Sequence, residues 1–403
     1  MMHLLLLSAF TAGTAVNTQA SVSSSLRAGQ IASLSARSET GSEVVLEPAL
    51  DVELARPRDS LRLRASGRLS RLDLSSQEQG FARGGIRLDA RRAITRREEL
   101  LLSFDANGGT LDFRQATTFL GATSADAPDS GTSTTTTTQL DSFRVRFFTS
   151  RAELGLRSRL DEAQNLTLRA AVNYGDGEGD GGESFGANQF PREQTVSAFV
   201  DYDYRAARQD TLRGAASVSQ SDFEAIGGFT VGTLNGSWDR RFQRGEFGVS
   251  LGAQVVSSNS DNETFVIPNG RLTLGRRLWS RQRQTVSATF SSGVEGGFDR
   301  FSGRLLPRAT ASVSTVGDFD NEWRVTVLGT AATPLGEGVG GDDTLPLDST
   351  LSARIGVGWS FVRELALTVG AEWAMRGAPF DEPWDVRQQE LVGTLGVVAN
   401  YTL

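Results

Sequence analysis

Residues 61–71 run Leu-Arg-Leu-Arg-Ala-Ser-Gly-Arg-Leu-Ser-Arg. Wound as a helix, those arginines would spiral over every side. In a strand, side chains alternate between two faces. Leu61, Leu63, Ala65, Gly67 and Leu69 then share one face, and Arg62, Arg64, Ser66, Arg68 and Ser70 the other. A chain made of such segments needs an apolar medium on one side and water on the other.

The alternation recurs along the whole chain. Val44, Leu46, Pro48, Leu50, Val52 and Leu54 alternate with Glu47, Asp51 and Glu53, and Leu166, Leu168, Ala170, Val172 and Tyr174 alternate with Thr167, Arg169 and Asn173. Similar runs cover 247–255, 351–359, 365–373 and 391–401, and no sustained helical period interrupts them past residue 20. Two phase breaks, near Phe147-Phe148 and between Phe229-Val231-Thr233 and Leu234-Gly236-Trp238, are read as bulges.

The connections fall into two classes. Tight links are expected near 57–60, 94–98, 159–163, 205–210, 242–246, 278–283, 318–322 and 362–364. Longer polar stretches lie at 74–80, 115–140, 175–193, 221–228, 258–264, 296–302, 335–348 and 377–388. Short turns at one end and long loops at the other are the pattern of a transmembrane antiparallel up-and-down β-barrel. The tight links imply sixteen strands. The terminal segment 389–403 adds one, and parity asks for another before residue 44, best placed at 23–37. The expectation is an all-β barrel of 18 strands, with 16 as the alternative. A propeller or solenoid would need a repeated unit or closer turn spacing, and neither is present.

Other features bound the chemistry. The 403 residues hold no cysteine, their basic residues are all arginine, and the net charge of −7 argues against nucleic acid as a partner. The N-terminus, MMHLLLLSAFTAGTAVNTQA, has a short apolar stretch closed by small residues, read as a signal peptide cleaved after Ala20. Cleavage would remove His3, the only histidine, and leave residues 21–403 as one barrel domain. Without His or Cys, the usual hydrolytic triads and zinc sites are excluded, and no nucleotide fingerprint appears. No enzyme, cofactor or metal is expected. The acidic run GDGEGDGGES (175–184) lacks the spacing of a calcium loop and reads as a solvated loop tip.

At the C-terminus, TLGVVANYTL (394–403) resembles the signal by which Gram-negative outer-membrane barrels are handed to the barrel-assembly machinery. Gly396 and Tyr401 match it, whereas Leu403 stands where the common version has Phe. The stretch EVVLEPALDVELARPRDSLRLRASGRLSRLD is similar in pattern to the N-terminal hairpin of the beta-barrel porin 2 group. These resemblances imply the cell outer membrane, with lipid and lipopolysaccharide as surroundings and a homo-oligomer as one option.

With the leucine face toward lipid, the lumen would carry Arg62, Arg64, Arg68, Arg83, Arg87, Arg91, Arg144 and Arg146, faced by Glu47, Asp51, Glu53, Asp89 and Asp105. Two readings stay open: a transverse field that sieves polar solutes, or charges that satisfy one another. Phe290, Trp323, Trp359, Phe361 and Trp373 share the lipid parity and suit interfacial girdles. The expected function is passive diffusion of small polar solutes. The alternative is a closed or plugged barrel serving envelope polysaccharide export or surface assembly.

Overall fold

The computed structural model describes residues 15–33, 39–74, 78–112, 144–179, 192–223, 227–259, 264–281, 283–299, 304–320, 322–336, 349–362, 364–377 and 386–402. These form 18 strands. The first six are β1 (Ala15–Ser33), β2 (Glu39–Ala55), β3 (Asp59–Leu74), β4 (Glu78–Ala93), β5 (Glu98–Asp112) and β6 (Arg144–Arg159). Next come β7 (Gln164–Gly179), β8 (Glu193–Tyr204), β9 (Asp210–Phe223), β10 (Gly227–Phe242), β11 (Gly245–Ser258) and β12 (Thr264–Arg281). The last are β13 (Gln284–Asp299), β14 (Arg304–Phe319), β15 (Trp323–Pro334), β16 (Ser349–Val362), β17 (Leu365–Gly377) and β18 (Val386–Thr402). Each strand pairs antiparallel with its sequence neighbours, and β1 pairs with β18, which closes the ring. Closure leaves no ladder edge unpaired, the condition hydrocarbon imposes on a spanning sheet.

All eight tight links fall where the sequence places them. Their chemistry is local. The Thr95 hydroxyl accepts from the amides of Arg97 (3.1 Å) and Glu98 (3.0 Å), and Asp161 Oδ1 accepts from the Ala163 amide at 2.7 Å. Both are side-chain mimics of a backbone turn. Backbone bonds also sew several turns to the next hairpin, including Ala93 N to Arg58 O and Arg277 N to Arg244 O. Strands run from 12 residues in β8 and β15 to 19 in β1, beyond the roughly 9–11 that cross the apolar band. They therefore extend into several of the stretches read as loops. β7 carries Gly175–Gly179, so the first half of the acidic run is strand, with Asp176 accepting from the Tyr174 hydroxyl at 2.9 Å.

β1 begins at Ala15 rather than near residue 23. Residues 15–20 ladder with 50–55 of β2, so the segment expected to be removed as a leader includes ladder positions.

The register assigns the two faces. On β2 to β5, Leu50, Leu63, Ile86, Leu102 and Phe104 are exposed on the outside, and the belt continues through Leu154, Leu168, Val200, Leu251, Val266, Val369 and Leu395. Polar residues with low exposure, such as Glu43, Ser70, Ser197, Ser291 and Arg308, carry the opposite parity and point inward. This is a transmembrane β-barrel with an apolar exterior and a polar interior. Pro48, within β2, stands opposite Gly67, where the β2–β3 ladder skips two positions that proline could not fully bond.

The two expected bulges are absent. The registers of β6 with β5 and β7, and of β10 with β9 and β11, run without a shift. The phase changes there come from apolar side chains on the inner face. Phe229, Val256 and Ile267 are buried on that face and pack with Val231 at the loop end of β10–β12. Register shifts occur instead at Arg277/Trp279, Ser360/Val362 and Arg376/Gly377.

Outward aromatics gather toward the turn end. Trp323 stacks on Trp359 (centroids 5.5 Å, planes 15° apart), Phe361 lies 5.3 Å from Trp359, and Trp238 meets Phe247 edge-on at 5.5 Å. Phe290 sits farther up β13, opposite Leu274 and Val313, so it belongs to the apolar belt rather than a girdle. Trp373 lies toward the loop end of β17.

Candidate functional site: a charged recess on the inner wall

The site starts from a row of small inward residues. Ala49, Ser66 and Gly85 stand side by side across β2, β3 and β4, with Asn107 next on β5. A Cβ at Gly85 would lie 1.9 Å from Asn107 Oδ1, so glycine is what lets the amide lie over that strand. The neighbouring row is charged: Asp51, Arg64, Arg87 and Asp105 are direct register partners. Small residues beside long charged ones leave a recess of about 360 Å³, lined by Asp51, Arg64, Ser66, Arg87, Asp105 and Asn107 among others. On the far side of the small row, Arg83 pairs with Gly109, whose φ of 143° and close approach to the Ala82 carbonyl exclude a side chain.

Hydrogen bonds fix the arginines. Asp51 accepts from Arg62 Nε at 2.9 Å and from Arg64 Nε at 3.1 Å. Arg68, the least exposed of the set, spans Glu43 (3.1 Å) and Glu47 (3.2 Å). Arg87 Nε donates to Asp89 at 3.0 Å, Arg91 bonds Glu99, and Asn107 donates to Asp105 at 2.5 Å. The ladder continues around the wall. Arg151 meets Glu153 at 2.7 Å, Arg169 bridges Glu153 (3.3 Å) and Asp201 (2.8 Å) beneath the Phe199 ring, and Arg213 lies 3.3 Å from Asp203.

Eleven of the thirteen lumen residues expected from sequence therefore lie on the inner face: Arg62, Arg64, Arg68, Arg83, Arg87, Arg91, Glu47, Asp51, Glu53, Asp89 and Asp105. Arg146 does not. Its parity is that of Phe148 and Leu154, it is exposed on the outside, and the register gives Arg144 the same parity. The reason is the absent bulge, since a shift at Phe147-Phe148 would have turned both arginines inward. The expected arrangement of bases on one wall and acids opposite is also replaced. Acids and arginines alternate on adjacent strands of the same wall, each carboxylate beside its guanidinium.

Sequence reasoning missed Glu43, Arg151, Glu153, Arg169, Asp201 and Arg213. For Arg151, Glu153 and Asp201 the signal was present as charges at alternate positions in RAELGLRSR and VDYDY. Which charges meet depends on register, which no single strand displays.

Within this network Arg64 and Arg87 stand apart. They are adjacent across β3–β4, and each is anchored through Nε alone. Among the described residues, their terminal nitrogens have no hydrogen-bond partner. Two guanidiniums anchored through Nε stand side by side over the recess, with the donor geometry that pairs with planar carboxylates and with phosphates. No cluster of metal-ligating side chains occurs among the described residues. Gly396 is buried in β18, in register with Thr368, and Tyr401 falls opposite Ala20, while Leu403 lies outside the described residues.

No family model matches the chain, and no curated protein is similar to it at a significant level. Among solved structures it is similar over nearly its whole length to outer-membrane proteins at very low identity. Acinetobacter baumannii OccAB4 aligns with TM-score 0.49 and 10% identity, covering 97% of this chain and 99% of that one. Pseudomonas aeruginosa OccK2 (OpdF) in complex with glucuronate gives 0.49 and 10%, covering 96% and 98%. Pseudomonas aeruginosa OpdO gives 0.48 and 13%, also covering 96% and 98%.

Proposed function

We propose that this barrel resides in a Gram-negative outer membrane and works as a porin-like channel for passive diffusion of small polar solutes. The observation that carries the reading is the Arg64–Arg87 pair: two guanidiniums held by Asp51 and Asp89 with their outer nitrogens facing the recess. Such a pair offers a transient seat to a solute bearing a carboxylate or phosphate, and the surrounding acids keep that seat weak enough to release it. The pattern of residues 43–73, similar to the beta-barrel porin 2 group, supports the same class. On this reading the N-terminal apolar stretch directs export, with cleavage after Ala20. The segment 394–403 engages the barrel-assembly machinery, and lipid and lipopolysaccharide surround the belt. No chemistry is performed.

The test is single-channel conductance and reversal potential of the purified barrel in a planar bilayer. Discrete open steps are expected, with Arg64→Ala plus Arg87→Ala moving the selectivity toward cations. A folded, heat-modifiable barrel that stays electrically silent would falsify the channel and favour the export or assembly role.

A further inference from the structure

The turn end of β10–β13 carries charge that the inner wall does not use. The sequences are RRFQRGE (240–246) and GRRLWSRQR (275–283), and no acidic residue occurs between Glu263 and Glu295. Arg241, Arg244, Arg276, Arg277, Arg281 and Arg283 are all exposed. Among the described residues none of the six has an ion-pair partner, whereas many arginines of the inner wall do. The acids packed near them are few. Asp210 lies 3.8 Å from Arg240, Asp239 faces Arg213 at 3.7 Å, and Glu246 stands opposite Arg241. Other turns differ: β6–β7 holds Asp161 and Glu162, and β14–β15 holds Asp318, Asp320 and Glu322. Arginines also occur at the β2–β3 and β4–β5 turns, but Asp59, Glu98 and Glu99 stand beside them, and of the eight tight turns the one between β12 and β13 alone has no acid beside it.

Position narrows the partner. The shift at Arg277/Trp279 re-aims the end of β12, so Trp279 pairs with outward Val286 and Arg281 with Gln284. Arg276, before the shift, is also on the outer parity. Beside them Phe242, Leu278 and Trp279 are exposed at 52%, 59% and 44%. Apolar rings and unpaired guanidiniums thus share the outer circumference at the edge of the belt. That is the level of lipid headgroups, where an aromatic ring sits in the interface and a cation just beyond it.

We infer that this arc is a binding surface for anionic phospholipid in the leaflet at the turn end, with the phosphate seated among Arg276, Arg281 and Arg283. An acidic protein would be met by charges on the end of the barrel alone and would leave the neighbouring Phe242, Leu278 and Trp279 without a role. The inference rests on the transmembrane fold and stands apart from the channel reading.

The test compares phosphatidylglycerol with phosphatidylcholine retained by the full-length barrel. The protein is refolded in mixed vesicles, extracted in mild detergent and weighed by native mass spectrometry. Arg276→Gln, Arg281→Gln and Arg283→Gln together should lower retained phosphatidylglycerol at least about tenfold, since each guanidinium near an anionic surface contributes a roughly fivefold preference. The three-lysine counterpart should keep most of it. A control set on another arc (Arg56, Arg58, Arg96 and Arg97 to Gln) should change it less than about twofold. Heat-modifiable mobility verifies that each variant is folded. Undiminished retention in the first variant, or equal loss in both glutamine sets, overturns the proposal. Undiminished retention would assign the arc to an acidic protein partner.

Discussion

Two parts of the inner face are built in opposite ways. From β2 to β9, beside a few buried apolar residues such as Val45 and Phe81, it is a lattice of arginines and carboxylates at hydrogen-bond distance, open to water at Arg62 and Arg64 and nearly closed at Arg68. At the loop end of β10–β12 it is apolar, with Phe229, Val256 and Ile267 buried at 4%, 1% and 4% exposure. The difference shows that side-chain parity, and not polarity, decides which face a residue occupies. Where the lattice faces water, charge remains solvated and paired. Where the inner face is dry, apolar packing replaces it.

The largest break in this comparison should come from the dry patch. Phe229→Ala removes the centre of a packed cluster and should cost about 3–5 kcal/mol in urea unfolding of the vesicle-embedded barrel, as truncations of buried aromatics do. A loss under about 1 kcal/mol would mean that the patch contributes little packing.

Charge tests the boundary between faces. Leu102→Arg places a guanidinium in the apolar belt and should cost roughly 2–4 kcal/mol. The adjacent Ser103→Arg, on the inner parity, should be neutral to within about 0.5 kcal/mol. Equal costs at the two positions would refute the assigned parity of β5.

In the lattice itself, Arg169→Ala leaves Glu153 and Asp201 facing each other without their shared cation. A partly exposed network of this kind should lose on the order of 1 kcal/mol, with the loss shrinking in high salt. The smallest effect belongs to the girdle. Trp359→Ala, which removes the stack on Trp323 and the contact with Phe361, should cost about 0.5–1.5 kcal/mol beyond its lost area, measured in the same unfolding assay.

Much of this was legible in the sequence. Alternation in LRLRASGRLSR requires a strand with one apolar face, and two classes of connection require hairpins that all turn at the same end. Eighteen strands and eleven inner-wall residues follow from those two facts. Arg146 fell on the outer parity against expectation, because a phase change looks the same whether a bulge turns the backbone or apolar residues enter the interior. Of the six missed lattice residues, Arg151 and Glu153 pair within one strand, but Arg169 reaches carboxylates 16 and 32 residues away and Glu43 is held by Arg68, 25 residues on.

The sequence by itself determined the period, the turns and the outer face, because each depends on neighbours within a few residues along one strand. Only the tertiary structure decided which carboxylate holds which guanidinium and left Arg64 beside Arg87 with free outer nitrogens. It also gathered the unpaired arginines of β10–β13 onto one arc. Those outcomes depend on the register between strands and on where the ring closes, and both are set by the sum of all eighteen pairings.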